Sequence, residues 1–393
     1  PLTFIFWVER SKIDRIMKDK YKIYLFVLLI FLVIFSIYAL KPQIAGDSYI
    51  YINSIEVLKT GIEPSGFIPM MIVSTYLGLR LIMFFNLFTG NIEVSWLLLD
   101  SILYIAMGLF SYSLFKKIIK DDKLAFLGTL FLVTNYAAVS FGLGYLMDIG
   151  GWTAYIASLY FAYRYLENED KGENKENKWL YISAAFIGIG GLYKEYAFVA
   201  YVIIFGIILY KNWSLQTDRW SKIFWKVFIT GCLAFMPFLF MNVYTYYAFN
   251  GYTYLDWFLS NQTGYSYQNR TIEFIKSFGS IYNFGWFLFV PGFYILLKQT
   301  KEILQNKILD KDLKNNIVFI WLVILSSFSV LLWPVVTRVL FITMPAAVIV
   351  SSLFVQRIKK DRFLYIIIPI FILYFVSSYL MNAYILDFVN LPI

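Results

Sequence analysis

Long apolar runs, separated by short charged or turn-forming segments, recur along the whole chain. Most of these runs approach the roughly 20 residues that a helix needs to cross the hydrocarbon core of a bilayer. The pattern therefore predicts eleven membrane-spanning helices. They lie at about 23–40, 95–115, 124–141, 150–166, 179–193, 196–210, 223–246, 279–297, 317–334, 339–355 and 363–382.

One further apolar stretch, 67–88, is ambiguous because it contains Pro69, Gly78, Arg80 and Asn86. Charge decides its position, since Lys and Arg in short loops resist export across the membrane. If 67–88 lies at the membrane surface, 27 of the 34 Lys and Arg residues face the cytoplasm. They belong to segments 1–22, 116–123, 164–178, 211–226, 298–314 and 356–362. If 67–88 spans the membrane, several of these basic loops must be exported to the outer side. We therefore predict that 67–88 is an interfacial helix, with the N-terminus in the cytoplasm and the C-terminus outside.

Composition agrees with a helix bundle in lipid. Hydrophobic residues make up 60% of the chain, charged residues 15%, and the mean hydropathy is +0.66. Soluble domains have roughly 45–50% apolar and about 25% charged residues. We therefore predict an all-α, polytopic transmembrane fold with an interfacial helix in the first outer loop.

The net charge of +9 does not indicate nucleic-acid binding, because the basic residues lie in the short loops between apolar runs. The chain has no histidine and one cysteine, Cys232. A histidine base, a histidine-ligated metal, an internal disulfide and a cysteine cluster are thereby excluded. Acid–base chemistry falls to Asp, Glu, Lys or Tyr.

With this threading, two carboxylates lie in outer loops of otherwise apolar sequence. Asp47 follows Gly46 and precedes Ser48, which is typical of a helix N-cap. Asp148 lies between the third and fourth spans among glycines. Taken alone, each aspartate is equally consistent with a capping or loop residue.

Two cations lie on the same predicted face. Lys194 and Glu195 occupy the tight turn between the fifth and sixth spans, and Arg338 lies in a tight turn before the tenth. Ionisable residues at membrane depth are functional candidates. Cations that hold phosphate and a carboxylate that accepts a proton suit a reaction on an anionic, lipid-borne substrate.

These motifs resemble the glycosyltransferase C superfamily, whose members use polyprenyl-phosphate sugars and include protein O-mannosyltransferases and aminoarabinose transferases. The acidic motif of the first outer loop is similar to Asp47, with Tyr51 and Gly61 after it. Ser48 replaces the second acid that many members carry. A proline-containing segment opens an interfacial helix here, as it does in the family, at Pro64 to Pro69.

The later motifs of the superfamily have counterparts as well. Asp148 resembles the acid of the next outer loop, and Gly191-Leu192-Tyr193-Lys194-Glu195 resembles a glycine-rich helix end followed by Lys-Glu. Arg338 with Pro345 resembles a late arginine before a helix entry. The resemblance is clearest over about residues 20–210.

The resemblance implies an inverting transfer of a sugar from polyprenyl phosphate to an acceptor hydroxyl. Asp47 would be the general base and Asp148 would orient hydroxyls. Substrate-binding roles fall to Tyr51, Lys194, Glu195, Arg338 and Arg270. We assign no metal ligands, although the resemblance leaves a divalent metal ion open. The partners it implies are a lipid-linked sugar, a glycan, lipid or protein acceptor, and membrane lipid.

The predicted organisation has two parts. Residues 1–247 form a catalytic transmembrane module with its first outer loop at 41–94, and residues 248–393 form a variable transmembrane module with an outer loop at 248–277. That second loop is rich in aromatic residues, which suit either sugar stacking or an interfacial aromatic belt. Its one arginine is Arg270.

Two other functions stay open at this point. An O-antigen-type polymerase or ligase also has many spans, but it favours outer arginines over an early acidic motif. A flippase or transporter for lipid-linked sugars would carry charged residues deep within several spans, whereas Asp100 is the clear acid within one. We predict a glycosyltransferase in the plasma membrane with its active site on the outer face.

Overall fold

A computed structural model describes residues 20–42, 44, 47–61, 68–167, 173–213, 219–249, 253–263, 267–305, 310–332 and 337–389. Within these ranges the regular structure consists of α-helices and short 3-10 helices, without strands, so the predicted all-α fold is confirmed. The α-helices are α1 (Lys20–Leu40), α2 (Asp47–Thr60), α3 (Ile68–Thr89), α4 (Ile92–Ile119), α5 (Asp122–Val133), α6 (Tyr136–Ser140), α7 (Asp148–Glu167), α8 (Glu173–Gly191), α9 (Val199–Trp213), α10 (Arg219–Ala248), α11 (Tyr254–Thr263), α12 (Tyr267–Tyr282), α13 (Trp286–Leu304), α14 (Lys311–Ser327), α15 (Thr337–Leu340), α16 (Met344–Val355) and α17 (Lys360–Val389).

Every predicted span overlaps helical structure in the described residues, but several spans are interrupted. Short 3-10 segments separate α12 from α13 within 279–297 and α15 from α16 within 339–355. The stretch 124–141 breaks after Val133 because Asn135 caps a new helix. Its side-chain oxygen accepts a hydrogen bond from the amide of Ala137 at 2.9 Å, which satisfies a donor at the start of α6. The prediction of one continuous helix over 124–141 was wrong at this position.

Seven helical stretches in the described part of the chain are long and apolar enough to cross a membrane. They are Lys20–Ala39, Ile68–Thr89, Ile92–Ile119, Glu195–Asn212, Trp220–Ala248, Phe274–Leu304 and Arg338–Val355. A polytopic helical membrane protein is thereby confirmed, and the count of eleven spans stays a prediction. The second of these stretches is α3, and its interfacial position also stays a prediction.

The predicted outer loop at 248–277 is itself largely helical. It contains α11 and most of α12, and α12 packs against α15, the short helix that carries Arg338. The sequence pattern predicted this segment as a loop because its polar residues interrupt any long apolar run. Arg270 lies in the first turn of α12.

The two ends of the helix bundle differ in chemistry. At one end, Lys117 pairs with Glu167 at the end of α7, and Lys120 pairs with Asp312 at 2.7 Å. All four residues belong to segments that the charge pattern assigns to the cytoplasmic side. The opposite end of α7 begins at Asp148. Since α7 has 20 residues, about 30 Å of helix separates the basic end from that carboxylate.

The two predicted modules share one core. A single cluster of buried apolar residues runs from Leu25 in α1 to Tyr374 in α17. Within it, α7 packs against α4 and α8, and across the predicted boundary α9 packs against α14 and α5 against α16. Residues on both sides of position 247 therefore contribute to one core, and the division into two modules stays a prediction.

Close helix packing depends on small residues at several crossings. Gly292 of α13 lies against α16, where a Cβ atom would come within 2.1 Å of the carbonyl oxygen of Val350. A backbone atom cannot rotate away as a side chain can. The two helices would have to separate to admit any larger residue.

We expect Gly292→Ala to lower the free energy of unfolding by about 1–3 kcal/mol, because overpacking at a backbone contact forces the helices apart. Thermal unfolding of the purified protein in detergent measures this. Gly279→Ala in α12 is the matched control, since nothing lies within 4 Å of its Cβ position. Equal midpoints for the two variants would contradict the packing argument.

Candidate active site

Asp47 and Arg338 form an ion pair between distant parts of the chain. Asp47 is the first residue of α2 and Arg338 lies in α15. Arg338 Nη2 donates to Asp47 Oδ2 at 2.7 Å, the length of a charge-assisted hydrogen bond. The side chain of Arg338 is 26% exposed and that of Asp47 is 32% exposed. Asp47 and Arg338 therefore compensate each other's charge at the edge of the apolar bundle.

Asp148 is the second carboxylate at the same guanidinium. Its side chain is fully buried at the start of α7, where the helix N-terminus favours negative charge. The phenol of Tyr196 donates to Asp148 Oδ1 at 2.7 Å. Asp148 Oδ2 lies 3.8 Å from Arg338 Nη1 and accepts no hydrogen bond from the described residues. Arg338 therefore lies between the two predicted catalytic carboxylates.

The turn after α8 brings Lys194 to the same cluster. Lys194 is buried, and its ammonium group lies 5.8 Å from the centre of the Tyr51 ring. Burial by itself would lower the pKa of Lys194, but the carboxylates of Glu195 and Asp148 contribute to raising it above its ordinary value. The lysine is therefore a buried positive charge at neutral pH.

Glycines in α7 make room for this turn. A Cβ atom on Gly150 would lie 2.2 Å from the Tyr193 ring, and one on Gly151 would lie 2.8 Å from the Cβ of Lys194. The flanking glycines that marked Asp148 in the sequence thus allow residues 193–196 to pack directly on the start of α7. Because these two glycines have no side chains, Lys194 can approach Asp148.

A kink in α3 ties a third element to the turn. Thr75 has a non-helical backbone conformation (φ −131°, ψ 15°) inside the helix. The amide of Leu77, just beyond the kink, donates to the carbonyl oxygen of Leu192 at 3.1 Å. The predicted interfacial helix is thereby joined by its backbone to the turn that carries Lys194.

The start of α2 is anchored to the loop before α7. Ser48 donates to the carbonyl oxygen of Tyr145 at 2.8 Å, and both Tyr51 and Tyr145 meet the ring of Trp96 edge to face. The hydroxyl of Tyr51 is buried and has no hydrogen-bond partner among the described residues. Burial raises the pKa of Tyr51, so its phenol keeps its proton and can donate it to a ligand.

The electrostatics of Asp47 follow from its neighbours. Burial by itself would raise the pKa of Asp47. The charge of Arg338, the hydrogen bond from Arg338 and the charge of Lys194 outweigh that effect and hold the pKa below the usual 3.8. Asp47 is therefore an ionised carboxylate at neutral pH.

The structure brings together most of the residues singled out from sequence. Asp47, Asp148, Tyr51, Lys194 and Arg338 share one cluster. The cluster also contains five residues that the sequence did not mark as catalytic or substrate-binding. They are Ser48, Trp96, Asp100, Tyr145 and Tyr196. Asp100, the acid noted inside a span, is buried and close enough to Asp148 for their charges to interact.

Two predicted binding residues are less tightly connected. Glu195 is half-buried beside Lys194, and its Oε2 has no hydrogen-bond partner in the described part of the chain. The backbone of Arg270 lies in α12, whereas its side chain is outside the described residues. Their predicted binding roles stay predictions.

The cluster does not resemble a metal centre. Across the described ranges, no three His, Cys, Asp or Glu side chains are grouped as ligands for a metal ion. The guanidinium of Arg338 occupies the position between Asp47 and Asp148 that a cation bridging them would take. These residues do not fit the divalent ion that the superfamily resemblance left open.

A family model and solved structures resemble this chain. The family model described as dolichyl-phosphate-mannose-protein mannosyltransferase matches residues 76–241. No curated protein matches the chain by sequence.

The first structure is the oligosaccharyltransferase of Archaeoglobus fulgidus in its apo form, with a TM-score of 0.57 and 10% sequence identity. The second is the oligosaccharyltransferase AglB of the same archaeon in complex with an inhibitory peptide and a dolichol-phosphate, with a TM-score of 0.54 and 12% identity. Both alignments cover 92% of this chain and 56% of the other, so this chain spans about half the length of those proteins.

At these identities the structural likeness concerns the fold. The matched family segment contains Asp148 and Lys194, and the shared fold extends over nearly the whole chain. The resemblance to the glycosyltransferase C superfamily that the sequence indicated is confirmed by the family model and by the fold together.

Proposed function

We propose that this protein is an inverting glycosyltransferase that moves a sugar from a polyprenyl-phosphate donor to an acceptor hydroxyl. The observation that carries the proposal is the cluster in which Arg338 and Lys194 lie beside two carboxylates. A buried lysine and a half-buried arginine next to an apolar membrane region suit a lipid-borne phosphate. One of the related structures holds a dolichol-phosphate, which supports the same class of donor.

The outer face of the plasma membrane is the proposed location of this chemistry. The cluster lies at the end of α7 opposite the ion pairs of the basic loops. Basic loops stay on the cytoplasmic side by the positive-inside rule. The proposal therefore assigns the cluster to the external side, with the N-terminus in the cytoplasm.

Asp47 is the proposed general base. Arg338 engages its Oδ2, and no hydrogen bond to Oδ1 comes from the residues that the structure describes, so Oδ1 is the oxygen proposed to accept the proton of the acceptor hydroxyl. Its partial exposure gives an acceptor access from the aqueous side. A carboxylate with a lowered pKa is a weak base toward an alcohol, so it assists mainly late, when the hydroxyl proton has become acidic.

The remaining roles follow from charge. As the acceptor oxygen bonds to the anomeric carbon, the bond from that carbon to the phosphate oxygen breaks and polyprenyl phosphate leaves. Lys194 and Arg338 would stabilise the negative charge that develops on the departing phosphate. Tyr51 is placed to donate a hydrogen bond to the same group, and Asp148 to orient a hydroxyl.

Transfer of radiolabelled sugar from a polyprenyl-phosphate donor is the direct test of the proposal. We expect Asp47→Asn to slow transfer by about 10²–10⁴-fold, the usual contribution of a general base. Glu56→Gln on the same helix is the matched control, because Glu56 pairs with Lys59 at the surface. Substantial turnover by a folded Asp47→Asn protein would overturn the assignment of the base.

Binding of polyprenyl phosphate tests the two cations. We expect Lys194→Ala and Arg338→Ala each to weaken binding by about tenfold or more, since a charge-assisted hydrogen bond is lost. Lys59→Ala, which removes an exposed lysine of α2, should leave the affinity unchanged. If both cluster variants bind polyprenyl phosphate as tightly as wild type does, Lys194 and Arg338 have only a structural role.

The ionisation of Asp47 gives a pH dependence of stability. A carboxylate whose pKa is lower in the folded state stabilises the fold above its unfolded pKa and loses that effect as the pH falls through the folded value. We therefore expect wild type to exceed Asp47→Asn in thermal stability by a constant margin from pH 8 to pH 5. The margin should close only below the ordinary 3.8, and a change between pH 8 and 5 would contradict the lowered pKa.

A further inference from the structure

The two oxygens of the Asp148 carboxylate have different surroundings. Oδ1 accepts the hydrogen bond from Tyr196, and Oδ2 accepts none from the residues that the structure describes. Because a buried carboxylate oxygen without a donor is costly, such an atom in a native protein usually serves a ligand or a water molecule. Oδ2 faces the guanidinium of Arg338 across 3.8 Å.

The residues around Tyr196 fix its position, so its hydrogen bond keeps the Asp148 carboxylate in the orientation described above. Its ring is buried and stacks on Trp152 with 6.5 Å between centroids. A Cβ atom on Gly151 would lie 2.9 Å from the Tyr196 ring, so the start of α7 also contacts it closely. The hydroxyl reaches the main-chain oxygen of Asp148 as well, at 3.1 Å. The Asp148 carboxylate is thereby held with Oδ1 on the Tyr196 hydroxyl and Oδ2 facing Arg338.

The gap between Asp148 Oδ2 and Arg338 Nη1 suits a hydroxyl group. At 3.8 Å the two atoms are too far apart for a direct hydrogen bond. A hydroxyl oxygen placed to one side of the line that joins them can lie about 2.8 Å from both atoms. It would accept from the guanidinium and donate to the carboxylate, and thus satisfy both groups.

The different burial of Asp47 and Asp148 indicates which substrate hydroxyl each carboxylate meets. Asp47 is 32% exposed, whereas Asp148 is fully buried behind the same arginine. An acceptor that arrives from water meets Asp47 first. A sugar attached to a phosphate held by Arg338 lies within reach of the deeper carboxylate.

We propose that Asp148 Oδ2 and Arg338 Nη1 form a subsite for a hydroxyl of the donor sugar, and that Tyr196 is the residue that positions Asp148 for this contact. The inference rests on the proposed function and specifies which substrate group each atom meets. Tyr196 acts through Asp148 and does not itself touch the substrate.

Equilibrium binding of two kinds of lipid to the purified protein tests the subsite. One is polyprenyl phosphate, and the other is a panel of polyprenyl-phosphate hexoses that includes mannose, glucose and galactose. We expect wild type to prefer at least one sugar-bearing lipid to the sugar-free one. Tyr196→Phe should lose about tenfold in affinity for that lipid and keep its affinity for polyprenyl phosphate.

A double-mutant cycle separates positioning from a merely structural role. Asp148→Asn should lose the same sugar-dependent affinity, and adding Tyr196→Phe should cause no further loss. Tyr104→Phe is the matched control because it removes another buried phenol hydrogen bond, to the carbonyl oxygen of Val133. If Tyr196→Phe does not fold, the sugar dependence of Asp148→Asn alone decides the question.

The outcomes that overturn the subsite differ from those that overturn the proposed function. Equal losses for both lipids in Tyr196→Phe, or an undiminished effect in the Asp148→Asn background, would refute the positioning role. Binding of polyprenyl phosphate without any sugar preference would refute the subsite alone. Failure of wild type to bind polyprenyl phosphate would count against the glycosyltransferase itself.

Discussion

The guanidinium of Arg338 is the interaction on which the site depends. It lies between two carboxylates, one of them fully buried, at the edge of an apolar helix bundle. Desolvating charges is expensive, and removing one partner of such a group leaves the others uncompensated. The ion pair also joins Asp47 and Arg338, which are 291 residues apart in the sequence. The first and last thirds of the chain therefore meet through charge at the site, while apolar packing joins them elsewhere.

The arrangement gives each charged group a different relation to water and lipid. Asp47 is partly exposed, Asp148 is enclosed, and Lys194 is buried against the ring of Tyr51. A membrane transferase must admit a polar acceptor from one side and a lipid-borne donor from another, and a cluster with graded exposure suits both. The glycines of α7 are as necessary to it as the charges, because they allow the turn after α8 to approach.

Apolar periodicity and charge placement predict much of this molecule. Run length locates the helices, and the charges of the predicted outer loops, Asp47, Asp148, Lys194 and Arg338, are visible as polar residues in apolar surroundings. The contacts among them are not, because which loops meet depends on helix packing across hundreds of residues. The bond from Tyr196 to Asp148 had no local signal, since a tyrosine at a membrane surface is commonplace. The helix α12 was not predicted because its apolar residues form one face rather than a continuous run. The break at Asn135 was not predicted because a single cap residue can end one helix and start another.

The bond from the Leu77 amide to the Leu192 carbonyl has a consequence for how this protein tolerates sequence change. It joins α3 to the turn beside Lys194 through main-chain atoms, which every residue except proline supplies. The hydrogen bond itself therefore places no demand on the side-chain chemistry of either position, provided that position 77 is not proline and the kink at Thr75 is kept. Divergent sequences can therefore retain the same placement of the lysine without sharing a recognisable motif at the contact itself.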